Sequence, residues 1–367
     1  MSKLSVGIVG LPNVGKSTLF NALTLHSVPA ENYPFCTIDP TVGVVGVPDA
    51  RLDRLSQLSD SEKTIPAAIE FVDIAGLVKG ASAGEGLGNK FLANIREVDM
   101  IAQVVRIFDD SELHHVAGAV DPLADIEVIN TELVMADVET VASRRGSLER
   151  TVKTGDKQAA ALMALCDKLL PHLQTGALAL QLEMSEAETE LVKELHLLTM
   201  KPILYVCNKK HDAFNLDEHN DERWHELQDF FTETGAQYVV VDAGVEHELR
   251  ELTTEEKNEF RREYGTQDSG VDALIQASYS RLGLISYFTT GPKETRAWTV
   301  PVGSTGPEAG AVIHTDFKTK YIRAQVVSFV DLVECGSVAK ARETGKLRTE
   351  GKEYVVQDGD VIEFMHS

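Results

Sequence analysis

The sequence predicts an α/β fold, a doubly wound and mostly parallel sheet, that is interrupted by a helical insertion and followed by a small α+β module. Short apolar runs alternate with helical patterns, as in parallel sheets whose two faces are covered by helices. These runs are the predicted strands at residues 6–9, 69–72, 101–108, 203–207 and 238–241. Because ligands of such sheets bind beyond the carboxyl ends of the strands, Gly10, Asp73 and Asn208 stand at the predicted binding edge.

Between residues 124 and 199 the pattern changes to long helices. Two apolar stripes recur at helical spacing, so each predicts a helix that packs along a seam. The stripes consist of Ile126, Ile129, Leu133 and Ala136, and of Leu162, Leu165, Leu169 and Leu173. Ser185 and Glu188 form a capping box that opens a third helix. The connection predicted at residues 144–157 carries five basic side chains, and it is either a solvated turn or a contact surface for an acidic partner.

Strand patterns return after residue 283, at 295–300, 321–328 and 352–364, and within the last the turn signal Asp358-Gly-Asp360 separates two β-rich runs. A compact α+β module of about 80 residues accounts for them. The predicted domains are therefore a sheet domain at 1–123 and 200–283, a helical insertion at 124–199 and a carboxyl-terminal domain at 284–367.

The charge of the chain limits its partners. A formal net charge of −22 argues against non-specific binding to a polyanion such as DNA, because that binding depends on neutralising phosphates. Residues 284–367 carry ten Lys or Arg and eleven Asp or Glu, so this part is the least repelled by RNA. No apolar run reaches the roughly 18 residues that a membrane span needs, and no signal sequence is evident. We expect a cytoplasmic protein without a membrane contact.

Residues 10–17 match the phosphate-loop (P-loop) motif Gly-x4-Gly-Lys-Ser between a predicted strand and a predicted helix. The glycines let successive main-chain N–H groups converge on phosphates, and the helix N-terminus adds its positive end. Lys16 is the predicted cation for the β- and γ-phosphates, and the Ser17 hydroxyl a predicted Mg²⁺ ligand. The nucleotide-contacting residues of this stretch are predicted to be Asn13, Val14, Gly15, Lys16, Ser17 and Thr18.

Asp73-Ile-Ala-Gly76 follows the next strong strand. In this position the Asp73 carboxylate can hold Mg²⁺ through water, and the Gly76 N–H can meet the γ-phosphate, so the stretch can sense hydrolysis. Thr37 lies in a Pro-rich stretch at 33–40 and is predicted to complete the Mg²⁺ shell in the triphosphate state; the alternative is an ordinary loop threonine.

These motifs and the sequence around them resemble the Obg family of translation-associated GTPases, and within it the YchF or Obg-like ATPase subfamily. The resemblance rests on Gly-Leu-Pro-Asn-Val-Gly-Lys-Ser-Thr at 10–18, Tyr-Pro-Phe-Cys-Thr at 33–37, Asp-Ile-Ala-Gly-Leu-Val-Lys-Gly-Ala at 73–81 and Gly-Glu-Gly-Leu-Gly-Asn at 84–89. It implies a nucleotide domain with a coiled-coil insertion and a carboxyl-terminal TGS domain of β-grasp shape. It also implies Mg²⁺-dependent hydrolysis and association with the ribosome. The implied partner is the large subunit or the 70S-type particle, bound through the helical and TGS domains.

Base selectivity is predicted from residues 208–211. GTPases usually carry Asn-Lys-x-Asp here, whereas this chain has Asn-Lys-Lys-His, and a histidine cannot accept both guanine N–H groups. His211 also departs from the Asn-x-x-Glu of the subfamily. The Asn208 amide can still read adenine N6 and N7, so we expect ATP to be preferred over GTP. Asp212 replaces the missing acid if the loop shifts, and Asp242 with Ala243 is predicted to contact the base through main-chain groups.

The predicted catalytic residues are Lys16, Gly76 and His115. Leu77 stands where Ras-like enzymes have the glutamine that orients water, which predicts slow intrinsic hydrolysis. His115 matches a family histidine and is either a water-positioning group or a surface loop histidine. Asn13 matches an asparagine that helps hold K⁺ in related cation-activated GTPases. The sequence thus predicts a slow ATPase switch; a GTP-specific GTPase and a nucleotide-gated binder with negligible turnover remain as alternatives.

Overall fold

The computed structural model describes residues 4–24, 27–28, 41–75, 87–110, 120–249, 252, 256, 259 and 269–366. The strands of this part are β1 (Ser5–Gly10), β2 (Val42–Gly46), β3 (Thr64–Ile65), β4 (Ala68–Asp73), β5 (Met100–Arg106), β6 (Phe108–Asp109), β7 (Ile203–Lys209), β8 (Phe214–Asn215), β9 (Gln237–Asp242), β10 (Leu284–Thr289), β11 (Thr295–Pro301), β12 (Tyr321–Ser328), β13 (Arg348–Glu350) and β14 (Asp360–His366).

The α-helices of the described residues are α1 (Lys16–Thr24), α2 (Ala50–Ser59), α3 (Leu87–Glu97), α4 (Pro122–Lys153), α5 (Lys157–Gln174), α6 (Glu186–Val192), α7 (Glu222–Thr234), α8 (Ala243–Glu248), α9 (Gly270–Arg281), α10 (Gly306–Ile313), α11 (Asp316–Lys320), α12 (Phe329–Cys335) and α13 (Val338–Glu343). Among them no helix combines the length and apolar character that crossing a membrane requires.

The chain forms two compact units. The large unit comprises Ser5–Ala22 and Phe71–Val271, and the small unit comprises Met1–Leu4, Leu23–Glu70 and Asp272–Ser367. The division of the chain into three domains at residues 124, 200 and 284 stays a prediction.

The sheet of the large unit runs in the order β4-β1-β5-β7-β9. β1 pairs with β5, β5 with β7 and β7 with β9, and each of these pairs is parallel. The five predicted apolar runs are confirmed as strands, although β5 ends at Arg106 and the short β6 follows it. β6 pairs antiparallel with β8. Since parallel strands share one carboxyl edge, the residues that follow Gly10, Asp73, Arg106, Lys209 and Asp242 meet on one side of the sheet.

Two long antiparallel helices, α4 and α5, form a hairpin inside the large unit. Asp121 caps α4 by accepting the Ala124 N–H, and Asp156 caps α5 by accepting the N–H groups of Gln158 and Ala159. Both predicted apolar stripes are buried, which confirms the predicted helices. The capping box of Ser185 and Glu188 is also present at the start of α6.

The connection predicted at 144–157 is wrong in extent. α4 continues to Lys153, so the turn contains only residues 154–156, and four of the five basic side chains lie on α4. A glycine inside a helix costs about 1 kcal/mol relative to alanine. The helix nevertheless continues through Gly146, because tertiary packing of the flanking residues offsets that cost. Leu148 is buried, and the Arg145 guanidinium donates to Asp167 on α5.

The small unit contains a mixed sheet in the order β13-β12-β14-β10-β11-β3. Its core consists of Tyr287, Val300, Ala309, Tyr321, Ala324, Val326, Val356 and Ile362. The strands predicted at 295–300 and 321–328 are confirmed. Of the two β-rich runs predicted within 352–364, the second is confirmed as β14, whereas the first is wrong. The Asp360 carboxylate accepts from the Gln357 N–H and the Tyr354 hydroxyl, which holds the segment before β14 in a loop.

Candidate functional site

The phosphate loop lies between a fully buried strand and a helix. β1 ends at Gly10, α1 begins at Lys16, and Asn13 and Gly15 adopt positive φ of 64° and 91°. A Cβ atom on Gly15 would lie 2.2 Å from Nδ2 of Asn208, and one on Gly10 would lie 2.8 Å from Cγ2 of Val14. Neighbouring side chains therefore leave no room for a Cβ atom at either position. At Gly15 the positive φ is a second reason for glycine.

Lys16 and Asp73 meet at the carboxyl edge of the sheet. The Lys16 ammonium donates to the Asp73 carboxylate, and their side chains are 12% and 24% exposed. The chain after Asp73 stays beside β1 because Ile74 N–H donates to Ile8 C=O at 3.1 Å. A cation and a carboxylate thus stand together, open enough to solvent for a ligand to reach them.

The oxygen atoms here suit Mg²⁺. Ser17 is exposed at the start of α1, and Asp73 supplies a carboxylate near the same loop. Mg²⁺ prefers such hard oxygen ligands, and in nucleotide sites it takes one or two of them from the protein and the rest from phosphates and water. Residues Ser17 and Asp73 fit that donor set.

Asn208 contacts two separate parts of the site. Its Nδ2 donates to Val14 C=O at 2.8 Å, and its Oδ1 accepts the Ala243 N–H at 3.1 Å. Asn208 is buried, so its amide joins the phosphate loop to the start of α8. The sequence predicted a base contact for this amide; the structure gives it a structural contact at each end, and the base contact stays a prediction.

Asp242 joins the start of α8 to the loop after β7. Its carboxylate accepts the Val245 N–H at 2.9 Å as the cap of α8. The N–H groups of His211 and Gly244 also donate to it, and burial raises the pKa of this carboxyl above its ordinary value. Asp242 therefore ties the loop after β7 to the junction of β9 and α8.

His211 and Asp212 point outward from the loop after β7. Their side chains are 44% and 88% exposed, and His211 Nε2 lies 3.3 Å from the Asp212 carboxylate. Asp212 has a φ of 60° in a turn that Lys210 C=O closes by accepting the Ala213 N–H. The Asp212 carboxylate is thus exposed to solvent, and its replacement of the missing acid stays a prediction.

Arg106 was missed by the sequence reasoning. It is buried at the end of β5, where its Nε donates to Phe108 C=O at 2.9 Å and its guanidinium lies 4.6 Å from the centre of the Phe108 ring. Burial lowers the pKa of this guanidinium. The sequence signal that could have identified Arg106 is a charged residue directly after the strand pattern at 100–105. Asn215 was missed as well, and nothing in its local sequence marks it.

Four residues singled out in the sequence, Thr37, Gly76, Leu77 and His115, lie outside the described residues. The remaining predicted site residues, which the structure does describe, lie in the phosphate loop and the first turn of α1, at the end of β4, near the end of β7 and where β9 passes into α8.

Comparisons with known proteins agree with this architecture. A family model described as a 50S ribosome-binding GTPase matches residues 5–136, and the model for the carboxyl-terminal domain of YchF GTPases, described as a protein of unknown function, matches residues 284–367. The ribosome-binding ATPase YchF of Bacillus subtilis is 52% identical over 361 residues, with 98% of each chain covered. The protein of the same name from Escherichia coli O157:H7 is 48% identical over 359 residues, again with 98% of each covered.

Among solved structures, the YchF GTPase of Schizosaccharomyces pombe superposes with a TM-score of 0.88 at 36% sequence identity, covering 99% of this chain and 98% of that one. The match extends over both units and includes the phosphate loop. This chain belongs to the YchF family.

Proposed function

We propose that this protein is a ribosome-associated nucleoside triphosphatase that binds and slowly hydrolyses ATP, with GTP bound more weakly. The observation that carries the proposal is the phosphate loop between β1 and α1, with Lys16 beside Asp73 at the carboxyl edge of the sheet. The relatives named ribosome-binding ATPase support the choice of nucleotide and of partner.

Each part of the site has a task in this proposal. The Lys16 ammonium leaves Asp73 for the β- and γ-phosphates, and the main-chain N–H groups of the phosphate loop bind the remaining phosphate oxygens. Ser17, Thr37 and Asp73 hold Mg²⁺, which when bound shields the phosphate charge. Gly76 senses the γ-phosphate, and His115 positions the attacking water. Asn13 takes part in binding K⁺.

The slow rate follows from Leu77, because leucine cannot orient water as the glutamine of faster enzymes does. Release of the γ-phosphate would free the segments around Thr37 and Gly76. We propose that this change is read by the α4–α5 hairpin and the carboxyl-terminal domain, which contact the large subunit or the 70S particle in the cytoplasm.

Two experiments test these proposals. Calorimetric titration with non-hydrolysable ATP and GTP analogues should show tighter binding of the ATP analogue; tighter GTP binding would favour the GTP-specific alternative. Phosphate release should be measured with and without ribosomes for the wild type, for Lys16→Ala and for the exposed control Lys90→Ala. We expect Lys16→Ala alone to lose activity. A wild-type rate equal to that of Lys16→Ala in both conditions would identify a binder with negligible turnover.

A further inference from the structure

The loop after β7, residues 210–213, is closed by one buried side chain of β8. Asn215 is 4% exposed, and its amide forms two hydrogen bonds with Lys210, accepting from the Lys210 N–H and donating to the Lys210 C=O, each at 3.0 Å. The side chain thus pairs with both the N–H and the C=O of Lys210, as a neighbouring strand would. The turn from Lys210 to Ala213 is also held by the Ala213 N–H, which donates to Lys210 C=O, and by the His211 N–H, which donates to Asp242. The two hydrogen bonds of Asn215 fix the first residue of this turn, Lys210.

Asn215 is itself held rigidly. It pairs with Phe108 across β6 and β8, and the neighbouring Leu216 is buried and donates its N–H to Ile107 C=O at 2.9 Å. Its position is therefore set by the end of β5 and does not follow the loop. An amide anchored in this way is preorganised, so it restricts the loop without a large entropic cost at the moment of ligand binding.

Two charged contacts hold the same loop. Glu218 accepts from the Lys209 ammonium at 2.7 Å and from Asn215 Nδ2 at 3.2 Å, and the Lys210 ammonium pairs with Asp110. The side chains of both lysines are directed to these carboxylates. Recognition of a base by this loop then falls to its main-chain groups and to the Asn208 amide.

We propose that Asn215 is the positioning residue for base selectivity in this site. The inference rests on the proposed function, in which the loop after β7 faces the nucleobase. Position 211 supplies no carboxylate for guanine, so discrimination depends on where main-chain N–H and C=O groups point. Adenine offers a donor and an acceptor on its N6/N7 edge, whereas guanine offers two acceptors there. A loop held in one shape presents one arrangement of main-chain donors and acceptors, so it selects one base. A loop released from Asn215 can present arrangements that suit adenine and arrangements that suit guanine.

Asn215→Ala tests the role directly, with Asn220→Ala as a matched control from the same segment. Asn220 is exposed, and its amide accepts from His225 at 3.0 Å, away from the loop. Calorimetry would compare ATP and GTP analogues with inorganic triphosphate, which engages the phosphate loop alone. We expect Asn215→Ala to weaken binding of the ATP analogue at least about tenfold. We expect the affinity for triphosphate to change less than about twofold, and the ATP-to-GTP ratio to move towards one. Asn220→Ala should match the wild type.

A folded Asn215→Ala variant with an unchanged ATP-to-GTP ratio would overturn the proposal, and so would equal losses for triphosphate and ATP, which indicate a general structural role. If Asn215→Ala does not fold, Glu218→Ala decides the question. Glu218 is exposed, and the variant removes both the acceptor of the Asn215 Nδ2–H and the ion pair with Lys209. Its ratio should shift about twofold to threefold, and an unchanged ratio would overturn the proposal.

Failure of the proposed function would be visible separately. A wild type that binds neither analogue contradicts both proposals in the first titration. A wild type that prefers GTP contradicts the assignment of ATP, whereas a shifted ratio in Asn215→Ala would still support the positioning role.

Discussion

The phosphate loop and the loop after β7 lie at the same edge of the sheet but are held in different ways. The phosphate loop is shaped by its own main chain, through the positive φ of Asn13 and Gly15 and the close approach at Gly10. The loop after β7 is shaped by side chains from elsewhere, namely Asp110, Asn215, Glu218 and Asp242. A loop of the first kind appears as a contiguous motif, and a loop of the second kind does not.

Asn208, near the end of β7, connects the phosphate loop to the start of α8. Its amide contacts Val14 on one side and Ala243 on the other, and it also leaves no room for a Cβ atom on Gly15. Substitutions at this junction should therefore disturb the phosphate loop, whereas substitutions at Asn215 or Glu218 should disturb only the loop after β7.

The largest effect is expected from Gly15→Ala. The new Cβ combines an unfavourable positive φ with a clash against the buried Asn208 amide, so the free energy of unfolding should fall by about 3–5 kcal/mol. Urea unfolding would measure it. Gly146→Ala is the control, because nothing lies within 4 Å of a Cβ there, and it should be neutral or stabilising by up to about 1 kcal/mol. Equal stabilities for the two variants would contradict the crowding at Gly15.

Asn208→Ala should come next, with a loss of about 2–4 kcal/mol in the free energy of unfolding, because Val14 C=O and Ala243 N–H would be left unpaired in a buried place. Asn89→Ala, an exposed position on α3, serves as the control. A loss below about 1 kcal/mol would mean that the amide does not hold the phosphate loop to the start of α8.

Arg106→Lys should have a smaller effect, about 1–2 kcal/mol, since lysine lacks the planar fork that reaches Phe108 C=O and stacks on the Phe108 ring. Comparison of thermal unfolding with the exposed control Arg54→Lys would detect it. If lysine is tolerated fully, the guanidinium geometry at the end of β5 is not needed.

The smallest effect concerns acid sensitivity behind the loop after β7. The Arg223 side chain and the Arg223 N–H lower the pKa of Asp221 to about 2, and Arg223 also binds Asp109 of β6. A lowered folded-state pKa adds stability above the ordinary value of 3.8, and that stability is lost as the pH falls towards 2. Asp221→Asn should remove this part of the acid dependence, with less than about 1 kcal/mol lost at neutral pH because water screens the pair. An unaltered stability profile between pH 5 and about 2 would refute it.

Prediction from sequence succeeded where the signal was local. Strands of the large sheet, the apolar stripes of α4 and α5 and the capping box of α6 are periodic patterns or short motifs, and each was found where expected. It failed at the end of α4, where the burial of Leu148 carries the helix past Gly146, and at 352–357, where Asp360 bends the chain into a loop. In both places the deciding contact comes from the tertiary packing or from a residue whose role the pattern did not reveal.

By itself the sequence determined the α/β class, the phosphate loop with Lys16 and Ser17, the position of Asp73 at a strand end and the absence of a carboxylate at 211. These features depend on residue type and on neighbours within a few positions, so they can be read from the chain. Only the tertiary structure decided that Asn208 joins the phosphate loop to α8, that Arg106 is buried at the end of β5 and that Asn215 closes the loop after β7. These contacts link residues from separate elements, and a polar side chain reveals its partner only when the fold has brought the two together.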